Sequence, residues 1–151
     1  MDHSPKLIIV LNELISLDYD AAQAYRAAVA RLKDPLSRKM MAAFRADHMR
    51  HTRSLAPEIR RLGGKPSRGP DLKSLMTGGL VALAKLAGDI MILRAMKMNE
   101  DMTNKAYEKA RNLKSPTLKL QALLRRHLSD ERRHRAWIVR RIKEMSRKGA
   151  A

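Results

Sequence analysis

The chain has 151 residues, 44% of them hydrophobic but only 3% aromatic, with no cysteine and a formal net charge of +17. That length suits one domain, the aliphatic, aromatic-poor composition suits helices better than sheets, and the missing cysteines exclude disulfides, cysteine-ligated zinc and iron–sulfur clusters. The charge implies attraction to polyanions but names no partner.

The N-terminal "MDHSPKLIIVLNEL" holds an apolar run too short and too soon interrupted for a signal peptide or membrane span. A soluble, cytoplasmic protein is expected. The first helix is predicted over about 4–33, where "KDPLSR" places Asp34 as a cap and Pro35 at the first helical position of the next. The second runs over about 36–62, with Pro57 expected to kink it. "RLGGKPSRGPD" opens a connector over 63–88, with a short helix around Leu72–Met76 or Leu80–Leu86. Gly88 as a break and Asp89 as a cap start a third helix, about 89–113. Ser115 and Pro116 repeat the cap pattern before a fourth, about 117–147.

Each helix carries an apolar seam at steps of three and four. Ile8, Leu11, Ile15, Ala22 and Tyr25 mark the first; Met41, Phe44 and Leu55 the second. Leu93, Met96, Tyr107 and Ala110 mark the third; Leu120, Leu124 and Ile138 the fourth. Every seam is broken near its middle by acids or histidines: Asp18; His48 and His51; Glu100; Glu131 and His134. A buried unpaired carboxylate costs several kcal/mol or more in rough terms, so these six need a common explanation. Counted from the turns at Asp34 and Ser115, an antiparallel hairpin brings Asp18 level with His48 and His51, and another brings Glu100 level with Glu131 and His134. The pattern is an internal repeat. Asp18 with Tyr25 answers to Glu100 with Tyr107, and "ADHMRHTRS" answers to "SDERRHRAW". The expected fold is all-α: a four-helix bundle of two antiparallel hairpins joined by a long crossover, with helices 2 and 3 parallel.

This arrangement resembles the ferritin-like superfamily, the di-iron carboxylate bundles of rubrerythrin and bacterioferritin type. "DERRH" is similar to that family's Asp-Glu-x-Arg-His motif. The resemblance implies metal ligands at Asp18, His51, Glu100, Glu131 and His134, with His48 in question. It implies Asp47, Arg50, Asp130 and Arg133 as their supports, with Tyr25 and Tyr107 hydrogen-bonding near the carboxylates. His127, one turn before Glu131, reads as a core or supporting histidine. The donors suit Fe first, with Mn and Zn as the other candidates. The implied activity is Fe(II) oxidation by O₂ or peroxide. Two departures stand out: Asp18 is a methylene shorter than the usual Glu, and His48 replaces a Glu. An imidazole does not bridge two ions as a carboxylate does, so an asymmetric pair, a single ion and zinc all remain open. A metal-free network of His–carboxylate pairs is the competing reading.

From Lys114 to Lys148, twelve Lys or Arg stand against three acids, a net +9. Arg125, Arg126, Arg132, Arg135, Arg140, Arg141 and Lys143 are the candidate contacts if that helix binds DNA or another polyanion. A solvated helix face is the plainer reading. No assembly surface for a storage cage is evident, so a monomer or homodimer is expected.

Overall fold

The computed structural model describes residues 4–70 and 87–150. Four helices account for most of them: α1 (Ser4–Arg31), α2 (Pro35–Arg61), α3 (Asp89–Arg111) and α4 (Leu118–Ala150). Helices α1 and α2 form one hairpin, α3 and α4 the other; α1 lies along α3, and α2 more loosely along α4. Side-chain pairings run antiparallel between α1 and α3: Tyr25 meets Glu100, while Asp18 meets Tyr107. Helices α2 and α3 therefore point the same way. The expected short helix at Leu72–Met76 or Leu80–Leu86 lies outside the described residues, as does His3.

Local chemistry explains the ends. Asp34 caps α2, its Oδ2 accepting from Ser37 N at 2.9 Å, with Pro35 at the first helical position. Pro57 lies inside α2, which continues to Arg61. Gly88, at a φ of 86° that favours glycine, precedes α3. Asp89 does not cap its own helix; its carboxylate accepts from Lys33 N and Asp34 N across the bundle at 2.9 and 2.7 Å. Likewise the cap of α4 is Thr117 rather than Ser115: Leu120 N donates to Thr117 Oγ1 at 3.1 Å. Arg141 also reaches Asp34, at 2.9 Å. Asp89 and Arg141 thus fasten the second hairpin to the turn of the first. At the opposite end, the chain leaving α2 folds back on α1. Gly64 packs beside Ile8, and Asn12 holds Lys65 O and Ser67 N at 3.0 and 2.7 Å.

The core is split. Leu7, Leu11, Ile15, Leu55, Ile59, Leu120 and Leu124 belong to one apolar cluster. Leu32, Met41, Phe44, Ile92, Leu93, Met96 and Ile138 belong to the other. The buried acids and histidines lie on the helical turns between these two sets. Among the described residues, no helix is long and apolar enough to cross a membrane.

Candidate metal centre

Six side chains meet in that middle layer, and all six are fully buried: Asp18, His48, His51, Glu100, Glu131 and His134. They form two overlapping donor groups. Asp18, His48, His51 and Glu131 make one; His48, Glu100, Glu131 and His134 make the other. In each, the candidate ligand atoms lie within 4.8 Å of one another. His48 and Glu131 belong to both.

The supports are exchanged between hairpins. His51 on α2 has Asp130 of α4 at its Nε2, 3.1 Å away, and His134 on α4 has Asp47 of α2 at its Nε2, 2.8 Å away. A carboxylate at one ring nitrogen leaves the other, Nδ1, turned into the core. Metal-binding histidines are commonly held this way, with a carboxylate on the ring nitrogen that faces away from the ion. Arg50 donates to both Asp47 and Asp130 at 2.6 Å. Arg133 donates to the same two, at 2.8 and 3.1 Å. The tyrosines are exchanged as well. Tyr25 of α1 donates to Glu100 of α3, and Tyr107 of α3 donates to Asp18 of α1 at 2.5 Å. Even the stacking is paired: Phe44 lies on His134 at 4.2 Å, and His127, its counterpart in the repeat, lies on His51 at 3.9 Å. Trp137 packs edge-on against Phe44 from the rim.

The inner atoms are not all satisfied. Glu131 Oε1 and Oε2 and His134 Nδ1 are buried without a hydrogen-bond partner among the described residues. Glu131 Oε1 stands 3.3 Å from His51 Nδ1 and 3.5 Å from His48 Nδ1, with neither contact aligned as a hydrogen bond. Buried orphan acceptors are rare and call for an ion, a water or a special role. Three carboxylates and three imidazoles converging on such atoms fit a divalent cation with mixed O and N ligands.

The electrostatics follow from burial set against pairing. Burial favours neutral His48, but Glu131, Asp18 and Glu100 outweigh it and hold its pKa well above the ordinary value. His51, opposed in the same way by burial and raised by Asp130, Asp18 and Glu131, is pushed up to about 10. His134 is raised too, against burial, by Asp47 and Glu100. Asp18 and Glu100 are lowered despite burial, each by two histidines. Glu131 is raised, because burial exceeds the help from His48 and His51. His127 falls to about 3, by burial and then by the charge of His51. It is neutral, bonded to Tyr107 Oη at 3.2 Å and Ser54 Oγ at 3.0 Å. Both tyrosines keep their protons, raised first by burial and then by the acids they bond.

The sequence reading placed all six inner residues on seams but missed three neighbours. Ser54 holds His127. Thr103 donates to Glu100 Oε2 at 3.3 Å, and Asn104 to the Glu131 carbonyl at 3.1 Å. Thr103 sits one turn after Glu100, and that spacing was its only available signal. Of the seven basic candidates on α4, three are committed to acids: Arg132 to Glu108, Arg135 to Asp101, and Arg141 to Asp34 and Glu144.

Comparison with known proteins bears on the family and the fold. A family model described as "Domain of unknown function (DUF2383)" matches residues 6–114, which takes in α1 to α3. The fold is that of a ferritin-like four-helix bundle. It is similar to the crystal structure of a ferritin-like, diiron-carboxylate protein from Bacillus anthracis str. Ames. The two share 26% sequence identity over 94% of this chain and 99% of that one, with a TM-score of 0.72. No curated protein matches the chain.

Proposed function

The chain belongs to the DUF2383 family, and from that premise we propose that it is a non-haem metal protein that binds iron, with Mn or Zn as competitors. Its ligands are drawn from Asp18, His48, His51, Glu100, Glu131 and His134. The observation that carries this reading is the set of orphaned inner atoms, Glu131 Oε1 and Oε2 and His134 Nδ1, inside a core where every outward-facing polar atom of the histidines is braced. The similar Bacillus anthracis protein, described as diiron-carboxylate, supports it.

Bound iron supplies one-electron chemistry, Fe(II) to Fe(III), toward O₂ or a peroxide, which suits a part in oxidative-stress defence. The chain's own residues set the conditions. Asp47 and Asp130 fix which nitrogen of His134 and His51 faces inward. Tyr25 and Tyr107 hold their phenol protons on Glu100 and Asp18, which limits how strongly those carboxylates attract a second proton. Arg50 and Arg133 offset the outer acids at the solvent edge. The apolar clusters on either side exclude water. Metal analysis of purified protein, followed by absorbance on aerobic addition of Fe(II), tests the proposal. Metal far below one ion per chain, together with no catalysed oxidation, refutes it.

A second reading, polyanion binding, is favoured by a different surface from the one the sequence singled out. A groove of about 670 Å³ on α1, α2 and the chain after them is lined by Arg53, Arg60, Lys65 and Arg68, with no acid in the lining. Among the described residues, none of the four makes an ion pair. A gel shift at physiological ionic strength decides: binding that survives there, and is lost in Arg53→Glu/Arg60→Glu, supports it, while no shift refutes it.

A further inference from the structure

A buried centre needs a way in. The six inner side chains are fully buried, and an apolar cluster lies on either side of their layer. Their polar contacts lead outward along one seam. Tyr25, Tyr107 and Thr103, which bond Glu100 and Asp18, are themselves fully buried. Among the described residues, the side-chain links that reach the rim leave between α2 and α4. His134 meets Asp47, His51 meets Asp130, and Tyr107 continues through His127 to Ser54. This is also the seam where the two hairpins lie together more loosely.

On that side the centre is one histidine deep. His51 and His134 each have an acid at the outer nitrogen, Nε2. Each turns Nδ1 inward: that of His51 is 3.3 Å from both Asp18 and Glu131, and that of His134 is 3.5 Å from Glu100. Asp47 and Asp130 form the next layer out, their side chains 14% and 16% exposed. Arg50 and Arg133 lie over them, 49% and 54% exposed. Arg50 of α2 reaches Asp130 of α4, and Arg133 of α4 reaches Asp47 of α2, so both guanidinium groups bridge the seam. Ion pairs this exposed are weak. The two arginines can swing into solvent while the helices and the apolar clusters stay in place.

We propose that divalent cations reach the centre between α2 and α4, with Asp47 and Asp130 as the receiving pair and Arg50 and Arg133 as a gate over it. This rests on the metal-binding reading and adds the route to it. A divalent ion offers the two carboxylates more charge than a guanidinium group does, so it can take the arginines' place. His51 and His134, each with a nitrogen at either end of the passage, then lead inward to the orphaned oxygens of Glu131. With a net charge of +17 the protein as a whole repels cations. The acid pair supplies the local attraction, and the arginines screen it.

Stopped-flow absorbance of Co²⁺ uptake, with release followed in a chelator chase, tests the route. Arg50→Gln/Arg133→Gln is expected to take up Co²⁺ about 10-fold faster or more. It should also release the ion faster, so that Kd moves by less than the uptake rate. Arg132→Gln removes the same charge as Arg133→Gln one residue away, off the seam, where Arg132 pairs with Glu108 of α3. That variant should keep the wild-type rates. Unchanged rates in the double variant, a gain in affinity equal to the gain in uptake, or the same acceleration in Arg132→Gln as in Arg133→Gln overturn the gate while leaving metal binding intact. No Co²⁺ uptake by a helical wild type overturns metal binding itself, and this inference with it. Should the double variant not fold, Arg50→Gln and Arg133→Gln, each a single change at a half-exposed side chain, carry the same comparison.

Discussion

Removing one oxygen should separate the two halves of the core energetically. Tyr107→Phe and Tyr25→Phe are the same change at matching points of the repeat, and both rings are fully buried. Each loses a hydrogen bond to a carboxylate, at a cost of about 1.5–3 kcal/mol. For Tyr25→Phe that is the whole effect, because Glu100 keeps Thr103 at 3.3 Å. Tyr107 Oη has a second partner, His127 Nδ1 at 3.2 Å. His127 is buried and neutral, so its N–H is left without an acceptor, at a further cost of about 1–3 kcal/mol. For a chain of this size each kcal/mol moves Tm by about 2–4 °C. In chelator, Tyr107→Phe should therefore melt below Tyr25→Phe by roughly 2–12 °C on the same scale. Adding His127→Phe makes the site resemble the other half, where Phe44 stacks on His134. The double variant Tyr107→Phe/His127→Phe should then lose less than the sum of its single changes, by about the cost of that one stranded N–H. Urea unfolding of the wild type, the three single variants and the double variant measures this directly. Equal losses for the two tyrosines, or strict additivity in the double variant, would refute the reasoning.

Other outcomes follow from the same contacts. The folded-state pKa of His51, about 10, exceeds its unfolded value of about 6.5. Its contribution to the chelated protein is complete below about pH 6.5 and lost as pH rises through about 10, so Tm without metal should fall across that window. Metal affinity should run the other way: His48 and His134 are also raised, an ion must displace their protons, and Co²⁺ uptake should release acid in a pH-stat. Asp47→Asn and Asp130→Asn should each weaken Co²⁺ binding about 10–100-fold by freeing His134 and His51, as read by calorimetry; unchanged affinity in both would contradict the metal-binding reading. Gly64→Ala places a methyl 2.7 Å from Ile8 Cγ2 and 3.0 Å from Ile59 Cγ2, and should cost about 1–3 kcal/mol in urea, with Co²⁺ binding unchanged.

The duplication explains both what the sequence disclosed and what it concealed. Spacing of three and four fixes which residues share a helix face, so the inward set from Asp18 to His134 was readable one helix at a time. Equal distances from Asp34 and from the turn near Ser115 were enough to bring the acids and histidines level. What spacing cannot carry is which partner each atom chooses across helices. "DHMRH" and "DERRH" each carry an Asp four residues before a His, and spacing alone does not say which His each Asp braces. The structure pairs them between copies, Asp47 with His134 and Asp130 with His51, because the facing helix offers its acid at the same height. Tyr25 and Tyr107 cross for the same reason. Such exchange makes each half-site depend on both hairpins, so neither hairpin can bury its own carboxylate without the other. The substitution that looked like a defect, His48 for a carboxylate, then has a definite consequence. A carboxylate would offer two like oxygens to the two groups, whereas the imidazole sets Nδ1 toward Asp18 and Nε2 toward Glu100. The nearer of the two partners is Asp18, at 2.8 Å against 3.3 Å for Glu100.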